Sequence, residues 1–190
     1  MGEPAVFVDR DGTLNEEVGH LSDHDGLRLI AGAPEAVRLL RASGYKVVVI
    51  TNQAAVARGL ITEKELCRIH RKLEEELLAG GAGLDGIYYC PHHPTEGQGA
   101  YRMDCACRKP RPGLVERAAS ELDIDLARSF IVGDKLTDLE AGSAAGCRGI
   151  LVRTGYGLES EQEIDRATVR PEHVADDLLD ASRWILRLAA

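Results

Sequence analysis

Apolar residues along this chain follow two patterns: short unbroken runs of about four, and longer stretches where they recur every three or four positions. The first pattern, closed by a turn signal, reads as a fully buried strand, and the second as an amphipathic helix. Ala5-Val6-Phe7-Val8 is the first run, and it empties into Asp9-Arg10-Asp11-Gly12-Thr13. A helix is expected from Gly32-Ala33-Pro34, with Pro34 tolerated in the first turn, Val37, Leu39 and Leu40 on its apolar face, and Gly44 as its terminator. Lys46 to Ile50 is the second strand, leading into Thr51-Asn52-Gln53-Ala54. Thr62-Glu63-Lys64-Glu65 has the form of a capping box, with Thr62 as N-cap and Glu65 reaching back. Leu66, Ile69, Leu73 and Leu77 then keep helical spacing until Gly80-Gly81, and Cys67 on this helix reads as a packed thiol.

The second half repeats the alternation. Asp85 to Tyr89 is a third strand, and Pro112-Gly113 opens a helix that turns Val115, Ala118 and Leu122 inward. Phe130-Ile131-Val132 is a fourth strand, Leu136 to Ala145 a helix stopped by Gly146, and Gly149 to Val152 a fifth strand. Asp176 to Leu188 closes the chain as an amphipathic helix, with Leu179, Trp184, Ile185 and Leu188 available for packing. Strands alternating with helices predict an α/β fold with a doubly wound parallel sheet covered on both faces. No repeat, linker or low-complexity segment divides the chain, so one domain is expected over 1–190. Two segments break the rhythm. Glu16 to Arg28 is a polar excursion over the first strand end, and Cys90 to Arg111 has almost no apolar periodicity, which in a compact domain calls for a functional reason.

Composition adds limits. The 190 residues are 44% hydrophobic and 28% charged, ordinary for a globular protein. A formal net charge of −8 argues against a general nucleic-acid or anionic-membrane binder, but not against a small anionic substrate that responds to local charge. Neither a bilayer-spanning run nor a signal-peptide pattern is apparent, so a cytoplasmic location is expected. In that reducing compartment, the five cysteines point to metal binding or burial rather than disulfides.

In a doubly wound sheet, ligands bind where the strand order reverses, at the carboxyl ends of the strands. Asp9 and Asp11, Thr51, and Asp134 with Lys135 all stand at such ends, and Arg108 and Lys109 come from the long loop. Together they offer acids for a metal, a hydroxyl donor and several cations. An EF-hand starting at Asp9 is excluded, because Leu14 and His20 occupy the positions that need Gly and Glu. A receiver domain needs its phosphorylated Asp at the third strand end, where this chain has Tyr89-Cys90. In the long loop, Cys90-x-His92, twelve residues, then Cys105-x-Cys107 gives a Cys₃His set suited to structural zinc, with His93 a competing ligand by position.

Asp9-Arg10-Asp11-Gly12-Thr13, Thr51-Asn52, Lys109-Pro110, and Gly133-Asp134 with Asp138 resemble the four motifs of the haloacid dehalogenase (HAD) superfamily of phosphatases. Gly86 to Pro94, Cys105 to Pro110, and Val132 to Leu136 are similar to the heptose 1,7-bisphosphate phosphatases within it. The resemblance implies a HAD-like fold with a minimal cap and a zinc-binding loop at about 90–107. It implies Asp9 as a nucleophile that forms an aspartyl-phosphate, Asp11 as acid and then base, and Thr51 and Lys109 as holders of the phosphoryl oxygens. An acid that keeps its proton near neutral pH needs a raised pKa. Mg²⁺ would be bound by Asp9, Asp134 and the backbone carbonyl of Asp11, and Zn²⁺ by Cys90, His92, Cys105 and Cys107. Gly19, His20, Asn52, Gln53, Arg108 and Lys135 would address a small phosphorylated sugar, and Asp138 would support the metal shell or Lys135. A monomer that binds neither nucleic acid nor membrane is expected. Two positions depart from the heptose pattern: His20 where Tyr is common, and Ala54 where Ser is frequent. Histidinol-phosphate phosphatase is the nearest rival reading, and a polynucleotide 3′-phosphatase fits the acidic chain poorly.

Overall fold

Phe7 pairs with Val48 on one side and with Ile131 on the other, so the first strand lies at the middle of a parallel sheet. The computed structural model describes residues 2–189. Its elements run β1 (Ala5–Val8), α1 (Ala33–Ala42), β2 (Lys46–Asn52), α2 (Ala54–Ala57), α3 (Glu63–Ala79), β3 (Gly86–Cys90), α4 (Gly113–Leu122), β4 (Phe130–Gly133), α5 (Leu136–Ala145), β5 (Arg148–Val152), α6 (Gly157–Glu163), β6 (His173–Ala175) and α7 (Leu178–Ala189). The strand order is β3-β2-β1-β4-β5-β6, with every pairing parallel. The chain therefore winds outward from β1 in one direction, returns, and winds outward in the other. The order reverses between β1 and β4, which carry Asp9 and Asp134 just past their ends.

Strand periodicity divides the core. Val6 and Val8 of β1 join Val47, Val49, Phe130 and Val132 on the face covered by α1, α3 and α7. Ala5 and Phe7 join Val48, Ile50 and Ile131 on the face covered by α4. Helix α5 lies close on that second face: a Cβ at Gly142 would stand 2.1 Å from Ile131 Cγ2. Uninterrupted apolar strands are the consequence of covering both faces. No helix among the described residues is long and apolar enough to cross a membrane.

Several expectations change. Strand β2 extends to Asn52 and β3 to Cys90, so Thr51 and Cys90 are fixed by the sheet rather than by turns. Thr62 caps α3 by accepting from the Glu65 backbone, but the Glu65 side chain engages His24 and Arg68 instead of reaching back. Cys67 is exposed rather than packed, and Leu188 is 50% exposed on the outer side of α7. The short β6 and α6 lie in a polar stretch whose periodicity is too brief to announce them.

Candidate active site

Strands β1, β2 and β4, helix α5 and the long loop between β3 and α4 deliver the polar groups at the β1/β4 reversal. Asp9 follows β1 and is tied by its backbone N–H to Val132 O at 2.9 Å. Lys109 comes in from the long loop with only 5% of its surface exposed, and its Nζ donates to Asp9 Oδ1 at 2.7 Å and to Ile50 O at 2.8 Å. It also pairs with Asp138 of α5. Asn52 seats this lysine: its side-chain amide donates to Lys109 O and accepts from Lys109 N, both at 3.1 Å. That residue, expected to face substrate, lines the groove while its side-chain amide is tied to the Lys109 backbone.

Carboxylate oxygens of Asp9, Asp134 and Asp138 lie within 4.8 Å of one another, all buried. Burial pushes Asp9 up to about 6 against the pull of Lys109, and burial with the charges of Asp9 and Asp138 pushes Asp134 up to about 7. Lys109, although burial acts to lower it, is raised by Asp138 and Asp9. Asp134 Oδ2 accepts from Tyr156 N at 2.8 Å, while its Oδ1 is buried without a partner. Gly12 and Gly155 close over this carboxylate: a Cβ at either would come within 2.3 Å of Asp134 Oδ2. Hard oxygen donors, an unsatisfied buried oxygen and mutual repulsion suit a small divalent cation.

Asp11 behaves differently. Arg10, only 1% exposed, grips it with Nε and Nη2 at 2.6–3.0 Å, and Asn15 and Gln53 add donors at 3.0 and 2.8 Å. Burial acts to raise its pKa, but Arg10 and these hydrogen bonds outweigh it and hold the carboxyl below its ordinary value. The raised value that an acid role calls for is therefore not present in this arrangement. Gln53 Nε2 also donates to Thr51 Oγ1 at 2.9 Å.

Most of these groups, though not the enclosed Asp134 and Arg10, face one groove of about 340 Å³. Asp9, Asp11, Thr51, Gln53 and Lys109 line it, and Gly19, His20, Arg108 and Lys135 stand around them. Lys135 lies 3.5 Å from Glu17 and over the Tyr156 ring at 4.3 Å, and Arg108 donates to His92 O at 3.1 Å. Asp138 both accepts from the Lys135 backbone N–H and holds Lys109, so one carboxylate serves two cation-bearing residues.

Behind the groove, the sulfurs of Cys90, Cys105 and Cys107 are 3.1–3.4 Å apart, with His92 Nδ1 at 3.4 Å from Cys107 and 3.7 Å from Cys90. His93 is turned elsewhere, its Nδ1 accepting from the backbone of Thr95 and Glu96. Soft donors in a four-membered cluster fit zinc.

Residues 106–181 match a family model described as HAD-hydrolase-like. The chain is 41% identical over 185 residues to the D-glycero-β-D-manno-heptose-1,7-bisphosphate 7-phosphatase of Haemophilus influenzae, covering 97% of both. It belongs to the heptose 1,7-bisphosphate phosphatase family. The Vibrio cholerae member is 41% identical over 99% of each chain. A crystal structure of D,D-heptose 1,7-bisphosphate phosphatase from B. bronchiseptica, complexed with magnesium and phosphate, superposes with a TM-score of 0.85 at 34% identity, covering 97% of this chain and 99% of that one. The enzyme is accordingly a phosphatase, a phosphoric monoester hydrolase of the HAD superfamily.

Sequence reasoning missed Arg10 and Arg58. Arg10 sits between two motif acids, where an arginine reads as a solvated turn residue, and only the packing shows it fully enclosed. Arg58 follows the four-residue α2, which left no periodic signal, yet it lines the groove.

Proposed function

We propose that this chain hydrolyses the 7-phosphate of D-glycero-D-manno-heptose 1,7-bisphosphate in the cytoplasm, as a step of nucleotide-activated heptose biosynthesis. The observation that carries the reading is the buried Asp9–Lys109 pair at the β1/β4 reversal, beside Thr51 and Gln53. It is supported by likeness to heptose bisphosphate phosphatases over nearly the whole chain.

Asp9 attacks phosphorus in line, and the bond from phosphorus to the sugar oxygen breaks, leaving an acyl phosphate on its carboxylate. Asp11, once it has taken up a proton from solvent on leaving its contacts with Arg10 and Gln53, gives that proton to the departing oxygen, then takes one from the water that attacks the phosphorus and restores Asp9. Lys109 and Thr51 hold the phosphoryl oxygens, where positioning and charge stabilisation supply most of the rate. Lys135, Arg108, Gly19 and His20 meet the sugar portion and its second phosphate. Asp9 and Asp134, with the Asp11 carbonyl, would hold Mg²⁺, which when bound neutralises phosphate charge. Cys90, His92, Cys105 and Cys107 would hold Zn²⁺, a fixed anchor whose last ligand is followed directly by Arg108 and Lys109.

Side-by-side kcat/KM values for heptose 1,7-bisphosphate and histidinol phosphate test the substrate. A preference for the heptose ester is expected, and a preference for histidinol phosphate would overturn the assignment.

A further inference from the structure

The groove holds an arginine that the chemistry above does not use. Arg58 stands at the C-terminal end of α2 with its side chain 32% exposed. Its Nε donates to Glu96 Oε2 at 2.5 Å, and its Nη1 donates to His20 Nε2 at 2.8 Å. Those partners lie on different segments: His20 on the excursion after β1, Glu96 on the long loop between β3 and α4. Three segments therefore meet on one guanidinium.

The cations lining the groove are not equally committed. Lys109 is enclosed by Asp9 and Asp138, and Lys135 is paired with Glu17. Arg108 holds only a backbone carbonyl among its hydrogen bonds, and its positive charge reaches Glu96, whose carboxyl is held below its usual range first by the Arg58 hydrogen bond. Arg58 is thus paired with one half-exposed carboxylate, while Arg108 adds a second positive charge to this edge of the groove that no carboxylate pairs among the described residues. A guanidinium presents several donors in a fixed fork that matches a phosphate, and an exposed pair can exchange a carboxylate for a dianion.

We propose that Arg58 is a specificity-determining residue that binds the substrate's second, non-reacting phosphate, and that Glu96 is the counter-ion holding it in place while the groove is empty. The inference rests on the bisphosphate reading of the function. It assigns Arg58 to recognition of a sugar carrying two phosphates rather than to the phosphoryl transfer.

The test is kcat and KM for heptose 1,7-bisphosphate and for p-nitrophenyl phosphate, a single-phosphate ester, in the wild-type protein, Arg58→Ala, Arg58→Lys and Glu96→Gln. Loss of a charge-assisted hydrogen-bonding partner predicts that Arg58→Ala lowers the ratio of the two kcat/KM values by about tenfold or more, through KM for the bisphosphate. Arg58→Lys should fall between, and Glu96→Gln should raise the ratio by about twofold to fivefold, because it removes the competing negative charge. If the wild-type protein prefers the bisphosphate and Arg58→Ala leaves the ratio unchanged, the inference is overturned while the substrate assignment stands. A fall in kcat alone, equal for both esters, would assign Arg58 a purely structural role. A wild-type protein that hydrolyses p-nitrophenyl phosphate but not the bisphosphate would overturn both. If Glu96→Gln lowers the ratio, Glu96 orients Arg58 rather than competing for it, and the counter-ion part fails.

Discussion

Two polar clusters lie at strand ends of one sheet, with β2 between them and Arg108 alone separating Cys107 of one from Lys109 of the other, and they solve opposite problems. At the β1/β4 reversal, Asp9, Asp134 and Asp138 are pressed together, their repulsion offset in part by Lys109, with burial raising Asp9 and Asp134. At the end of β3, Cys90, His92, Cys105 and Cys107 turn their donors on one another. Asp9 and Asp138 of the first cluster open on the groove and Asp134 keeps an oxygen unsatisfied, whereas the four donors of the second converge on one another. On the proposed reading, one group of residues reacts and the other holds the segment of the phosphate-binding Lys109 still. Cys107-Arg108-Lys109 is the connection between them.

Removing the nucleophile should separate the clusters most sharply. Asp9→Asn is expected to lower phosphate release on the order of a thousandfold or more while the melting temperature changes little, since an uncharged amide replaces a carboxylate that burial already disfavours. Activity within a few per cent of wild type would remove Asp9 from the chemistry. Breaking the other cluster should act indirectly. Cys107→Ser is expected to lose bound zinc, to melt several degrees lower, and to lose roughly tenfold to a hundredfold in kcat/KM as Lys109 loses its anchor. Unchanged kinetics in a zinc-free but folded protein would break the link. Asn52→Ala tests that link at its nearest point: two hydrogen bonds to the Lys109 backbone are removed, and a fall of about fivefold to tenfold in kcat/KM is expected.

His70 of α3 lies against Tyr89, with ring centroids 5.4 Å apart and the rings tilted by 60°, and close enough to Arg10 to feel its charge. Burial first, and Arg10 second, lowers its pKa to about 3. A histidine that stays neutral when folded but protonates at its ordinary pKa near 6.5 when unfolded loses stability as pH falls between those values. Below about 6.5 the unfolded chain binds the extra proton, and at pH 5 the loss is about 2 kcal/mol. His70→Gln should therefore melt with a smaller drop between pH 7 and pH 5 than wild type. An equal drop would mean that His70 is solvated in the folded protein.

Apart from the four-residue α2, the order of strands and helices from β1 to β5 was legible, because buried parallel strands leave continuous apolar runs and the longer helices between them keep a clear period. Asp9, Thr51, Lys109 and Asp134 were legible as strand-end and loop residues of the right type, and the Cys₃His cluster by its spacing. What could not be read was orientation. Nothing local announces that Asn52 clamps the Lys109 backbone as well as lining the groove, or distinguishes an Asp11 held by Arg10 from one poised as an acid. These depend on contacts between residues far apart in sequence or on complete enclosure by the fold. The three-residue β6 was lost for a related reason, since its pairing with β5, not its own pattern, makes it a strand.

In the proposed reaction the phosphoryl group passes first to Asp9. The direct measurement is an acid quench during the first turnover with heptose 1,7-bisphosphate, followed by mass spectrometry of the peptide that contains Asp9 and Asp11. A hydroxylamine-labile phosphoryl group on Asp9, forming and decaying at least as fast as turnover, is predicted. A first turnover that releases phosphate with no phosphorylated enzyme, or with the phosphoryl group on another residue, would contradict it.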